Sequence, residues 1–385
     1  MNMIHKILGL LPMMAVTLTL TTCSNVDNTE DSSLPGGGQQ GVVDLAKVAA
    51  DYTALDGDVL SGTLDGKTQK YKISIAAGAT VTLRDATING VHTDDSHELW
   101  AGLTCLGDAT IILEGTNAVQ TFNRFYPGLQ PGPDSTTLTI RGSGSLTATG
   151  SHFAPGIGTK FDGGSCGNIR IEDGTITATG DFNSAAIGST YNSTCGDITI
   201  SGGTVTATGG DNGAGIGSGV GYDGTSQCGD ITISGGTVTA TGGSDGAGIG
   251  TGQYGKCGSI SISGGTVMAK GSNNATGIGT GWGDYSNKAE CGDISITNGA
   301  GFVSVTAIRG GGASMSIGTS DCDNYFSYKC GRIMFDLEEI FDGSNNYIIV
   351  PGNGRYYNLN FAKSTTDDGD DDTDDTDNTW TLTPQ

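Results

Sequence analysis

The chain has 385 residues, with 67 Gly, nine Cys, 35% apolar residues, 18 Lys and Arg against 41 Asp and Glu, and a formal charge of −23. That charge excludes nucleic acid as a partner, because holding a polyphosphate takes clustered cations, and it opposes docking on anionic lipid or strongly acidic polymer unless metal ions bridge the two. The glycines fall at fixed places in a long period and not at every third residue, which excludes collagen and points to tight turns between short strands.

Residues 1–22 hold Lys6 and a Leu-, Met-, Val- and Thr-rich stretch from Ile7 to Leu20, the layout of a secretory signal too short to span a membrane. Leu20-Thr21-Thr22-Cys23 resembles a bacterial lipobox, whose cysteine is acylated after cleavage; Thr22 departs from the small residue usual before that cysteine. The resemblance implies a mature chain lipidated at Cys23. The acidic stretch after it, residues 24–33, is similar to the surface-export tether of lipoproteins in the Bacteroides group. Residues 23–41 read as a flexible tether. The expected location is the outer membrane, surface-exposed, with the lipid anchor as the contact with the bilayer.

Residues 42–70 are expected to form an N-terminal cap, since a stack of coils needs its first apolar layer covered. From Tyr71 the sequence alternates, with Ile73, Ile75, Val81 and Leu83 at inward positions. The centre of the chain then repeats itself. CGDITISGGTVTATGG followed by GAGIG occurs from Cys195 and again from Cys228, with looser copies from Cys166, Cys257 and Cys291. These openings lie 29, 33, 29 and 34 residues apart, so the unit tolerates insertion at one place. A repeat of this length is the signature of a solenoid.

Period two assigns the strands within one copy. Ile198-Thr199-Ile200 is one, Thr204 to Thr208 a second and Ala214 to Gly217 a third, with Gly-rich turns between them. Three short strands per coil make an all-β, single-stranded parallel β-helix over residues 71–334, with roughly eight coils and a length on the order of 40 Å at one strand spacing per coil. Its core consists of ladders: Ile198, Ile231, Ile260 and Ile294; Ile176, Val205, Val238 and Val267; Ile157, Ile187, Ile216, Ile249 and Ile278. Residues 335–363, denser in Phe, Tyr and Ile, read as a C-terminal cap. Residues 364–385 carry a run of aspartates that cannot bury anything, and read as a disordered tail.

Four recurrent features are candidates for chemistry. Cys166, Cys195, Cys228, Cys257, Cys291 and Cys330 each precede Gly and form a column, either of buried thiols behaving as small hydrophobes or of coil-to-coil disulfides. The position after Cys-Gly holds Asn168, Asp197, Asp230, Ser259 and Asp293. Short polar residues there bond the local turn, and calcium between Asp197 and Asp230 is the alternative. Thr147, Thr149, Thr175, Thr177, Thr179, Thr204, Thr206, Thr208, Thr237, Thr239 and Thr241 form an outward grid. The grid resembles the face of some β-helical antifreeze proteins, but Thr is also the polar residue best suited to an exposed strand.

The fourth feature is the loop of variable length between the Gly-Ile-Gly strand and the next Cys. Every copy carries an aromatic there: Phe161, Tyr191, Tyr222, Tyr254, then Trp282 and Tyr285. Loops on one edge of a solenoid stack into a ridge. Aromatic rings among Asn, Asp, Ser and Gln suit sugars, whose apolar faces stack while their hydroxyls take hydrogen bonds. The same rings would otherwise fold back to cover the edge.

The repeat GDITISGGTVTATGG with GAGIGSG resembles the glycine-rich solenoids of bacterial surface proteins of the pectate-lyase-like parallel β-helix fold, including non-catalytic carbohydrate-binding ones, over residues 70–335. The resemblance implies right-handed winding and a polysaccharide, a cell-surface glycan or a protein as partner. The Arg or Lys base with calcium carboxylates of pectate lyases and the Gly-His-Gly segment of polygalacturonases have no counterpart here. A catalytic alternative rests on Asp94 and Asp95 beside His92 and His97. The expectation is a non-catalytic, lipid-anchored binding protein; the alternatives are a polysaccharide-degrading enzyme, and a spacer or protein adhesin.

Overall fold

The computed structural model of the chain describes residues 41–91, 100–122, 124–222, 225–284, 288–297, 303–311, 313, 316–320, 329–335, 338–341 and 379–382. By contacts the chain divides into residues 1–38 and 39–385. The first unit, with the expected signal segment and Cys23, lies outside the described residues. The second is a parallel β-solenoid. Among the described residues no helix is long and apolar enough to cross a membrane.

One central copy shows how a coil is made. Thr194–Cys195, Ile198–Ile200, Thr204–Thr208 and Ile216–Gly217 are its strands. The three expected strands are present, and the cysteine pair adds a fourth, too short to show a period. Corresponding strands of successive coils pair in parallel and in register, Ile198 on Ile231, Val205 on Val238, Ile216 on Ile249 and Cys195 on Cys228. Among the described residues three sheets result, of 18, 10 and 6 strands. The Ile-x-Ile and Thr-x-Thr strands share the largest, and in two later copies they run together as Ile231–Thr241 and Ile260–Lys270.

The core follows from the alternation. Along Thr204–Thr208 the threonines are exposed while Val205 and Ala207 are buried. The Ile and Val ladders named above are all essentially inaccessible to solvent. Burying each such side chain contributes about 1.5 to 3 kcal/mol, and identical neighbours in register leave little void to fill. The glycine of each Ile-Gly strand is obligatory. Gly217 has φ +135°, and a Cβ built there would lie 1.8 Å from the carbonyl oxygen of Gly250 in the next coil.

Residues 42–70 carry strands that continue the ladder: Val59–Leu64 pairs in parallel with Val42–Asp44 and with Ala79–Asn89, and Tyr52–Ala54 pairs in parallel with Ile73–Ile75. The ladder thus opens well before Tyr71. The Gly-rich motif is missing from this stretch, although Leu45, Ala54, Leu60 and Leu64 alternate into the same core. At the other end Ile333–Phe335 still pairs in parallel with Ile294–Ile296, and Glu338–Phe341 turns back antiparallel onto it. The rest of the expected 335–363 cap, residues 336–337 and 342–363, lies outside the described residues, as does the aspartate run. Beyond that run, in the segment expected to lack structure, Thr379–Leu382 pairs antiparallel with Val305–Ile308.

Candidate loop-edge site

Each variable loop leaves the core through a buried hydroxyl that the sequence reading missed. Thr159, Ser189, Ser218, Thr251 and Thr280 follow the Ile-Gly strand and stack in a column, all with 0% exposure. Each accepts a hydrogen bond from a backbone N–H of the next coil: Thr190 to Thr159 at 3.1 Å, Gly219 to Ser189 and Gly252 to Ser218 at 3.3 Å, Gly281 to Thr251 and Ser320 to Thr280 at 2.9 Å. These bonds fix where every loop begins. Backbone bonds then join the loops to one another, Phe161 N–H to Phe125 C=O at 2.8 Å, Asp162 N–H to Tyr191 C=O at 3.1 Å and Tyr254 N–H to Trp282 C=O at 2.8 Å.

The rings are therefore brought into a continuous row. Centroids of successive rings lie 5.2 Å apart for Phe161 and Tyr191, 5.9 Å for Tyr191 and Tyr222, 5.2 Å for Tyr222 and Tyr254, and 5.3 Å for Tyr254 and Trp282. Tyr285 lies outside the described residues. The structure adds rings the sequence reading passed over. Phe125 and Phe153 pack on Phe161 at 4.8 and 5.0 Å, and Phe182 meets Phe153 edge-on at 5.1 Å. Phe153 and Phe182 stand before their Ile-Gly strands instead of after them, so no shared sequence offset ties them to the others.

Members of the row are not equivalent. Phe161 and Tyr191 stack nearly parallel, 16° between planes, so each covers a face of the other. Tyr254 is 6% exposed and offers no face to a ligand; burial, then the charge of Asp284, raises its phenol well above the usual range. Tyr222 is tilted by 65° and 40° from its neighbours and is 46% exposed, and Phe182 is 39% exposed. Phe125, Phe153 and Tyr254 have φ of 79°, 70° and 59°. Bulky residues in the left-handed region cost on the order of 1 to 3 kcal/mol each, a cost that ring packing offsets.

A polar row runs beside the rings. Asn183, Asn212 and Asp245 occupy one corner of successive coils, all half-buried. Their carbonyls accept from the loop backbone, Val220 N–H to Asn183 at 3.1 Å, Gln253 N–H to Asn212 at 2.8 Å and Trp282 N–H to Asp245 at 2.9 Å. Their side chains link along the row: Asn212 Nδ2 donates to Asn183 Oδ1 at 3.2 Å, and Asn274 Nδ2 and Gln253 Nε2 donate to Asp245 at 3.2 and 3.4 Å. The loop edge thus sets exposed aromatic surface next to amides and a carboxylate.

The other candidates resolve differently. Asp197 and Asp230 each accept a backbone N–H of the following coil on Oδ1. Among the described residues no group of three or more His, Cys, Asp or Glu is placed to hold a metal. Asp293 makes the same backbone bond and also takes Arg332 Nη2 at 2.8 Å, and the Arg332 hydrogen bonds hold its carboxyl below the usual range. The cysteine column is in register from Cys166 to Cys330, and its members are free thiols. Thiol hydrogen bonds from Cys166 and Cys228 pull Cys195 down against the burial that raises it, while contact with Cys195 and burial push Cys166 and Cys228 up. His92, Asp94, Asp95 and His97 lie outside the described residues.

Residues 138–164, 169–191, 198–220, 231–253 and 260–282 each match the beta helix repeat family. No curated protein and no solved structure matches the chain. Four of the five matches open on the first Ile of an Ile-x-Ile strand and end within the aromatic loop, so the repeat of that family and the coil described above are the same unit. The chain folds as a parallel β-solenoid whose coils between residues 138 and 282 match the beta helix repeat.

Proposed function

We propose that the protein binds carbohydrate, without catalysis, along the loop edge of the solenoid, and that it does so outside the cytoplasm, anchored to the outer membrane through a lipid on Cys23. The observation that carries this reading is the exposed pair Tyr222 and Phe182 in an aromatic row flanked by Asn183, Asn212 and Asp245. Sugar rings present apolar C–H faces to aromatics and hydroxyls to amides, and a rigid row of both types lowers the ordering cost of binding. The acidic chain favours a neutral glycan over a polyanionic one. Titration calorimetry against soluble neutral polysaccharides is expected to give binding that falls at least tenfold in Tyr222→Ala and Phe182→Ala, with the variants still folded and stability lowered by no more than about 1 kcal/mol. Binding to none of them, or binding untouched by both changes, overturns the reading.

A second reading, a rigid spacer or protein-binding adhesin, draws on the buried Tyr254 and the closed stack of Phe161 on Tyr191. Rings that cover one another serve the stability of the edge. It is favoured if the Tyr222 and Phe182 variants lose stability in place of glycan binding.

A further inference from the structure

In the cysteine column the sulfurs of Cys166 and Cys195 lie 3.5 Å apart and those of Cys291 and Cys330 3.6 Å, while Cys195 and Cys291 also bond the thiols of Cys228 and Cys257 on their other sides. Both pairs sit opposite one another in register on parallel strands. Such strands lie about 4.8 Å apart, inside the Cα range that a disulfide spans. Geometry therefore treats the two pairs alike, but access does not. Cys166 and Cys195 are each 1% exposed within the stack. Cys291 is 6% exposed, and Cys330, on the last strand of the six-stranded sheet, is only partly buried.

We propose that Cys291 and Cys330 form an oxidation site of the folded protein, which takes a small organic disulfide and closes a bond between the last two coils of the column. The thiolate of Cys330 attacks one sulfur of the reagent, and the reagent's S–S bond breaks to give a mixed disulfide and one reagent thiol. Cys291 then loses its proton to water and attacks Sγ of Cys330, displacing the second reagent thiol. Two protein thiols are oxidised and one external disulfide is reduced to two thiols, so electrons and protons balance. Cys291 is already in contact with the sulfur it must reach, which favours the second step over a lasting mixed disulfide. In-register parallel strands hold Cβ atoms farther apart than a relaxed bridge prefers, so the bond is strained and readily reduced again. Once closed it ties a 39-residue loop and secures the last coil. Cys166 and Cys195 share the spacing but are sealed, and close only when oxidant meets the chain before its coils stack.

The test is to incubate the folded full chain with oxidised glutathione, alkylate under denaturing conditions and map the peptides by mass spectrometry. A Cys291–Cys330 linkage with Cys166 and Cys195 recovered alkylated is expected, and refolding in the same reagent adds the Cys166–Cys195 linkage. In Cys291→Ser, Cys330 is expected to retain one glutathione. Wild-type protein suffices if that variant does not fold. Cys330 recovered alkylated, a mixed disulfide persisting in the wild type, a Cys322–Cys330 linkage, or Cys166–Cys195 closing in the folded chain at the same rate overturns the proposal.

Discussion

The Oδ1 atom of Asp197 accepts a hydrogen bond from the backbone N–H of Asp230, one coil further on, at 2.9 Å. The same brace joins Asn168 to Asp197 at 2.9 Å, Asp230 to Ser259 at 2.7 Å and Asp293 to Arg332 at 2.8 Å. Cys-Gly-Asp is therefore a motif that works between coils. The glycine of one coil leaves the space that the acid of the previous coil occupies: a Cβ on Gly229 would lie 2.2 Å from Asp197 Oδ1, and one on Gly258 equally far from Asp230 Oδ1.

Gly229→Ala is expected to destabilise the protein by about 1 to 3 kcal/mol, the usual cost of forcing an extra methyl into a packed site. Asp197→Ala should cost about 1 kcal/mol for the lost acceptor. The double variant should cost less than the sum, since removing the carboxylate relieves part of the overlap. The check is a double-mutant cycle by urea denaturation; strict additivity would show that the glycine is not there for the acid.

Thr251 is buried and accepts from Gly281 N–H at 2.9 Å. Thr251→Val keeps the shape and removes the acceptor, leaving a buried donor unpaired at a cost of about 1 to 3 kcal/mol. Hydrogen exchange should report the loss at the Gly281 amide first, whereas Thr239→Val on the outer face of its strand should be close to neutral.

Tyr254 and Tyr222 touch at 5.2 Å between centroids but differ in burial. Tyr254→Ala empties a buried aromatic site and is expected to cost about 3 kcal/mol or more. Tyr222→Ala, on a ring that is 46% exposed, is expected to cost about 1 kcal/mol or less. Thermal melts of the two variants separate the outcomes; equal losses would contradict the division of the row into support and contact surface.

Tyr52 donates its hydroxyl to Asp58 Oδ2 at 2.8 Å, and its phenol is pushed up to about 12, first by burial, then by that bond and by the charge of Asp58. In the unfolded chain the phenol ionises near 10. Below about pH 10 it is protonated in both states and its contribution to stability is fully present. Between about 10 and 12 the unfolded chain releases the proton first, so stability falls as pH rises through that window. Urea midpoints from pH 9 to 12 should decline less steeply in Tyr52→Phe than in the wild type.

The features legible in advance are those that repeat at short range. Ile198, Val205 and Ile216 declare their inward positions by alternation and by recurrence in the next copy. The aromatic ridge was legible as far as Phe161, Tyr191, Tyr222, Tyr254 and Trp282, because all follow the same Ile-Gly landmark. Phe153 and Phe182 precede that landmark, and only folding carries them to the same edge. The first coils escaped notice because Leu60 and Leu64 serve the common core without the glycine pattern that marks later copies.

Cys-Gly-Asp and the Ser or Thr after Ile-Gly look like local turn chemistry, and turn residues ordinarily bond within a few positions of themselves. In the structure their partners lie one coil away, at separations of 29 and 33 residues for Asn168 and Asp197. The sequence by itself determined that the chain stacks coils, which residues point inward and where insertions fall, because these depend on a period of two and a repeat of near-constant length. Only the tertiary structure decided that aspartate and threonine columns brace the coils, that Tyr254 is support while Tyr222 is surface, and that one cysteine pair is reachable and its equal in spacing is not. Those outcomes depend on what the neighbouring coil presents at each position and on where the stack ends, neither of which is written within a single repeat.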